Sequence, residues 1–119
     1  MYNYSAKVIR VIDGDTVELL LDLGCNVFRK ETIRLYGINA PEKNGLTHEA
    51  GVKSMLYLDK LLTKINNNCN IQTIKDRNDK YGRLLGIIQS SKFYISFKNS
   101  INQTMITDGY AIAAPASWK

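Results

Sequence analysis

Apolar positions along this chain fall first into a period of two and only later into a period near 3.6. Residues 7–12 are rich in β-branched side chains and predict a strand, and Asp13-Gly14-Asp15 supplies the turn after it. Val17, Leu19, Leu21 and Leu23 then alternate with Glu18 and Asp22, with Leu20 the exception. Residues 16–23 therefore read as a half-buried strand paired with the first as a hairpin. Gly24-Cys25-Asn26 is the next turn, and residues 32–36 predict a third strand with Ile33 and Leu35 on one face and Arg34 and Tyr36 on the other.

Asn44-Gly45 breaks that pattern. Thr47 is a helix N-cap candidate with Glu49 in the first turn. Val52, Met55, Leu58, Leu62 and Ile65 recur at helical spacing, Leu56 and Leu61 widen the stripe, and Lys53, Lys60 and Lys64 take the remaining surface. The helix is expected to reach about Asn66 and to end in Asn66-Asn67-Asn68. Residues 70–75 and 84–89 make two more strands around a polar loop at 76–83, and residues 93–97 are expected to extend the sheet. Ser100-x-x-Gln103 matches a capping box, and Gly109 would close a short helix at its C′ position. This order predicts one domain over residues 1–119. Its class is mainly β with helices (α+β): a five-stranded Greek-key barrel of the OB type, with one long helix between strands three and four and a short C-terminal helix.

Composition narrows the function classes. The chain is long enough for one real core, and it has no apolar run of membrane-spanning length. Its first seven residues lack the apolar stretch of a secretory signal, so it reads as intracellular as given, or as secreted if a leader has been removed. Sixteen Lys and Arg against eleven Asp and Glu give a formal charge of +5, a modest excess that suits a polyanionic partner. Cys25 and Cys69 form no CxxC pair and the chain has one histidine, His48, which argues against a zinc site or a Cys-His nucleophile. Idle or buried thiols are expected.

Candidate chemistry gathers in three short segments where a strand meets a turn or loop. They are Ile12-Asp13-Gly14-Asp15-Thr16, then Ile33-Arg34-Leu35-Tyr36-Gly37-Ile38-Asn39-Ala40-Pro41-Glu42, then Asp79-Lys80-Tyr81-Gly82-Arg83. Oxygen ligands suit a hard cation and arginines suit phosphate, and the two together equip a site for phosphodiester cleavage. Each segment alone has a plainer explanation. The acidic turn can simply close a hairpin, Arg34 can sit on a solvated outer face, and Glu42 can be an exposed loop acid. Neither Asp13-Gly14-Asp15 nor Asp76–Tyr81 has the ligand spacing of an EF-hand. Gly82 allows a sharp turn that would let Arg83 reach back over the sheet.

In this order and spacing the three segments resemble the staphylococcal (micrococcal) nuclease family, over residues 7–113. The resemblance implies a calcium-dependent nuclease that hydrolyses DNA and RNA with little sequence specificity and leaves 3′-phosphate ends. By position, Asp15 matches the family's first calcium carboxylate, Asn39 stands where a second aspartate ligand is common, and Ala40 stands where a backbone carbonyl meets the metal. Glu42 matches the general base or water-positioning glutamate, and Arg34 and Arg83 match the arginines on the scissile phosphate. Lys80 and Tyr81 match loop residues that approach the nucleotide. Single-stranded DNA or RNA is the expected partner, with no membrane involved and a monomer as the working unit. The alternative is a noncatalytic nucleic-acid-binding or interaction module of the same fold. Two departures stand out. Asn39 offers an uncharged oxygen, and the stretch after the late helix carries Trp118, as a stacking or a packing residue, where tyrosines are common in the family.

Overall fold

The computed structural model of the protein describes residues 2–78, 82–90 and 95–114. Period-two burial closes the sheet. Val17, Leu19 and Leu21 of β2 (Thr16–Asp22) and Ile33 and Leu35 of β3 (Phe28–Leu35) face inward, while Leu20 is only half-buried on the outer side. β1 (Tyr2–Asp13) pairs with β2 through Asp13↔Thr16 at the predicted hairpin turn. β5 (Asn68–Asn78) and β6 (Leu84–Gln89) pair antiparallel, and β3 joins β6 in parallel, so the order β1-β2-β3-β6-β5 returns to β1 as a closed barrel. β1 starts at Tyr2, earlier than its hydrophobic pattern suggested, because it serves two partners. Residues 2–7 pair with β5 and residues 5–13 with β2, so residues 5–7 are paired on both edges.

α1 (His48–Lys64) follows the third barrel strand, as predicted. It buries Gly51, Ser54, Leu58 and Leu62. Full burial of a leucine side chain contributes about 1.5–3 kcal/mol, and both Leu58 and Leu62 reach it. Leu56 is not part of this stripe: it is 57% exposed, because the face that meets the barrel passes through the small residues Gly51 and Ser54. The helix stops at Lys64, and Asn66 and Asn67 take left-handed φ of 58° and 57°, a conformation asparagine tolerates. Residues 95–97 also differ from expectation. They form no strand, and Phe97 opens a 3₁₀ turn with its ring over Gly37; residues 93 and 94 lie outside the described residues.

The short helix is α2 (Ile101–Thr107), and Gly109 is left-handed at φ 86°. Ser100 Oγ accepts from Gln103 N, but the reciprocal half of the expected capping box is not formed, because Gln103 Nε2 donates to Thr107 Oγ1 and Ser100 N donates to Phe97 O. Asn102 of α2 is fully buried, with its amide fully used. Nδ2 donates to Tyr36 O at 2.9 Å and Gly86 O at 3.0 Å, and Oδ1 accepts from Ile88 N at 3.0 Å. After α2 the chain returns to the site region as β7 (Ile112–Ala113), which pairs with β4 (Ile38–Asn39). Two-residue strands have no periodicity, so sequence reading did not find this ladder. No helix among the described residues is long and apolar enough to cross a membrane.

Candidate active site

Alternation along β2 and β3 decides where the site lies. Thr16 and Arg34 are register partners with side chains on the outer face of the barrel, at the end where the β1–β2 turn and the chain after β3 meet. Arg34 is not solvated there: it is only 8% exposed. Its Nη1 donates to Leu35 O at 3.0 Å, its Nη2 donates to Asn39 Oδ1 at 2.5 Å, and Nη2 lies 3.3 Å from Asp15 Oδ2. Both partners of this ion pair are largely buried, so removal of either would leave a poorly solvated charge behind.

Asp15 is held from three sides. Oδ2 accepts from Ala40 N at 2.8 Å, Oδ1 accepts from Thr16 Oγ1 at 3.0 Å, and Arg34 faces Oδ2. Asn39 is fixed by backbone pairing to Ile112 as well as by its bond to Arg34. Arg83 reaches the same row from the other side, with Nη1 3.5 Å from Thr16 Oγ1, so it does extend back over the sheet beyond Gly82, whose φ is 80°. Asp15, Arg34, Asn39, Ala40 and Arg83 thus meet around Thr16.

Glu42 lies exposed on the loop that follows, and the start of α1 clips that loop in place. Thr47 Oγ1 donates to Glu42 O at 2.5 Å, and His48 Nδ1 meets Lys43 O at 2.5 Å. Thr47 spends its hydroxyl on this contact and makes no side-chain cap on the helix. Two glycines set the packing distances. A Cβ on Gly51 would sit 2.4 Å from Glu42 C and O, and one on Gly14 would sit 2.6 Å from Ser54 Cβ and 2.8 Å from Ala40 Cβ. The acidic turn, the Ala40–Lys43 loop and α1 are therefore in backbone-level contact.

Asp13, read from sequence only as a turn residue, belongs to this neighbourhood. Its carboxyl is pushed up, first by burial and then by the negative charges of Asp15 and Glu42, while Lys43 and Arg83 act in the opposite direction. Thr16 was also missed as a bridge between Asp15 and Arg83. Neither had a signal in the periodicity, since both look like ordinary hairpin residues. Lys80, Tyr81 and Trp118 lie outside the described residues.

The groups that could hold a cation here are all oxygen donors, the Asp15 carboxylate, the Asn39 amide and the Ala40 carbonyl, with Arg34 Nη2 already on Asn39 Oδ1 and 3.3 Å from Asp15 Oδ2. That chemistry suits a hard cation in kind, with low formal charge. Among the described residues no group of three or more His, Cys, Asp or Glu gathers to hold a metal ion. Both cysteines are free, Cys25 exposed and Cys69 buried.

Comparison with known proteins identifies the family. The family model described as staphylococcal nuclease homologue matches residues 32–119, a span that includes Arg34, Asn39, Ala40, Glu42 and Arg83. Over 116 residues the chain is 28% identical to a protein named micrococcal nuclease from Shigella flexneri, an alignment covering 93% of this chain. The chain spans 59% of the length of that curated relative.

Proposed function

The chain belongs to the staphylococcal nuclease family, and from that premise we propose that it is a calcium-dependent endonuclease. It cleaves DNA or RNA strands with little sequence preference and leaves 3′-phosphate ends. The observation that carries this reading is the convergence of Arg34 and Arg83 on the Thr16 row, with the Asp15 carboxylate 3.3 Å from the Arg34 guanidinium. Two arginines beside an oxygen-rich corner are what a scissile phosphate requires, and a neutral interaction surface has no use for them.

In this reading Asp15, Asn39 and the Ala40 carbonyl hold the calcium, which supplies a Lewis acid for a phosphoryl oxygen. Arg34 and Arg83 bind the phosphate and meet the charge that develops on its equatorial oxygens. Arg83 also faces the departing oxygen. Glu42, on its clipped loop, orients the attacking water or accepts its proton. Lys80 and Tyr81 would contact the nucleotide, and stacking on Tyr81 would favour single strands. Because these donors address the backbone and not base edges, the sequence preference is small.

One observation favours a second reading, a noncatalytic nucleic-acid-binding module. Arg34 already bonds Asn39 Oδ1 and pairs with Asp15, and Asn39 brings no charge to offset that engagement. The two readings separate in one assay. A labelled single-stranded DNA incubated with the protein and rising calcium should be degraded, with chelator stopping the reaction. Binding without cleavage at any calcium concentration leaves the module. Glu42→Gln should then lower turnover far more than substrate binding, and an unchanged rate removes Glu42 from the mechanism.

A further inference from the structure

The outer face of β3 continues away from Arg34 in steps of two residues: Thr32, Lys30 and Phe28 share its side of the strand. Register extends each step across the sheet. Thr32 neighbours Glu18 and Arg10; Lys30 neighbours Leu20 and Lys7; Phe28 neighbours Asp22 and Ser5. The chemistry of these rows is not that of an ordinary solvated sheet. Lys30 and Lys7 are both exposed and flank half-buried Leu20, and Phe28, two residues further on, is 56% exposed. The acidic groups in these rows are both engaged. Glu18 Oε1 lies 3.5 Å from Arg10 Nε, and Asp22 Oδ1 accepts from Gly24 N at 2.9 Å.

We propose that this face is a track for the single strand flanking the cleaved bond, running from Arg34 along β3 past Thr32 and the Lys30–Lys7 pair to Phe28. The proposal rests on the nuclease reading for the phosphate at Arg34 and adds the path of the strand beyond it. Three features support a nucleic-acid strand as the occupant. Alternate residues of a strand are about 6.6 Å apart, a repeat on the scale of one nucleotide in an unstacked chain. The rows carry Lys7, Lys30 and Arg10 against Glu18 and Asp22, so their net charge is positive, and among the described residues neither lysine is in an ion pair, which suits a phosphate backbone. An exposed aromatic ring at the far end offers a base a stacking surface that no packing role within the barrel requires. The track is continuous with the candidate active site, because Arg34 is its first residue.

Binding of fluorescein-labelled oligothymidylates, measured by anisotropy in chelator, tests the track without calling on cleavage. A trinucleotide occupies only the arginine end, while a dodecanucleotide covers the face. The wild-type protein should bind the longer probe more tightly. The double variant Lys7→Gln, Lys30→Gln should lose that advantage and lower the slope of log affinity against log salt by about 1.4, the value for two phosphate contacts on a single strand. Phe28→Ser should weaken the longer probe about tenfold, as for one lost stacking contact. All three side chains are exposed, and an unchanged thermal melt checks that the variants fold. Length-independent binding in the wild type, or an unchanged salt slope in the double variant, overturns the track. If the longer probe binds with the expected slope and calcium still elicits no cleavage, the nuclease reading fails and the track stands.

Discussion

Replacing Gly51 by alanine tests whether the position of the Glu42 loop, and not merely the identity of Glu42, governs turnover. A Cβ at residue 51 would lie 2.4 Å from Glu42 C and O and from Lys43 Cα, about 1 Å inside ordinary van der Waals contact. The atoms it meets are backbone, so no rotamer change relieves the overlap. Either α1 or the loop moves. For stability two effects oppose each other. Alanine gains about 1 kcal/mol over glycine inside a helix, while overpacking of this kind costs about 1–3 kcal/mol. The net loss is about 0–2 kcal/mol, too small to unfold an appreciable fraction of a domain with about 5–15 kcal/mol of stability. For catalysis the two effects do not oppose. A shift of about 1 Å in a group that orients the nucleophile lowers the rate about a hundredfold. Single-turnover cleavage of a labelled single strand at saturating calcium, alongside a thermal melt, should therefore show a large rate loss with a Tm drop of no more than about 10 °C. A rate within twofold of wild type would refute the argument that the α1–loop contact positions Glu42. A protein clearly more stable than wild type would show that the close approach itself is absent.

Other expectations follow from single contacts. If residue 39 is a calcium ligand as proposed, Asn39→Asp adds a charge beside Asp15 and calcium should bind more tightly by calorimetry; an unchanged affinity would remove residue 39 from the proposed ligand set. Asn102→Leu strips the buried bonds to Tyr36 O, Gly86 O and Ile88 N. It should destabilise the protein by about 3 kcal/mol in urea unfolding, because the backbone groups left behind have no water to replace them. Burial pushes the Cys69 thiol up to about 12 from its ordinary value of 9.0. A folded value above the unfolded one means stability is fully present below pH 9 and is lost progressively as pH rises toward 12. Cys69→Val should flatten that alkaline decline in the urea midpoint, and a thiol reagent at pH 8 should find Cys25 readily in the folded protein but Cys69 only after denaturation.

Much of the barrel was legible in the chain because its strands alternate in hydrophobicity. Val17, Leu19 and Leu21 fix the inner face of β2, and a one-residue slip would bury Glu18 and Asp22 instead. The N-cap at Ser100 and the C′ glycine at 109 were readable because caps depend on local backbone geometry, although Gln103 turns its side chain to Thr107 instead of closing the box. Local rules failed where a neighbour distant in sequence decides. Leu56 fits a helical stripe, yet the barrel meets α1 on the side carrying Gly51 and Ser54. Phe97 has strand propensity, yet it packs over Gly37 at the start of a 3₁₀ turn.

The candidate site divides along the same line. The sequence by itself determined the family resemblance, the residue types and their order: carboxylate turn, arginine strand, Pro-Glu loop and a second arginine. Those features are local or depend on spacing, and spacing survives in one dimension. Tertiary structure alone decided that Arg34 is buried and bonded to Asn39 and Asp15, because its partners arrive from the β1–β2 turn and from a ladder closed by Ile112. It also decided that Asp13 shares the electrostatics of Asp15 and Glu42, that Thr16 links Asp15 to Arg83, and that α1 reaches the Glu42 loop at backbone contact through Gly51. These depend on which surfaces meet when the barrel closes and α1 packs, and no periodicity along the chain encodes that.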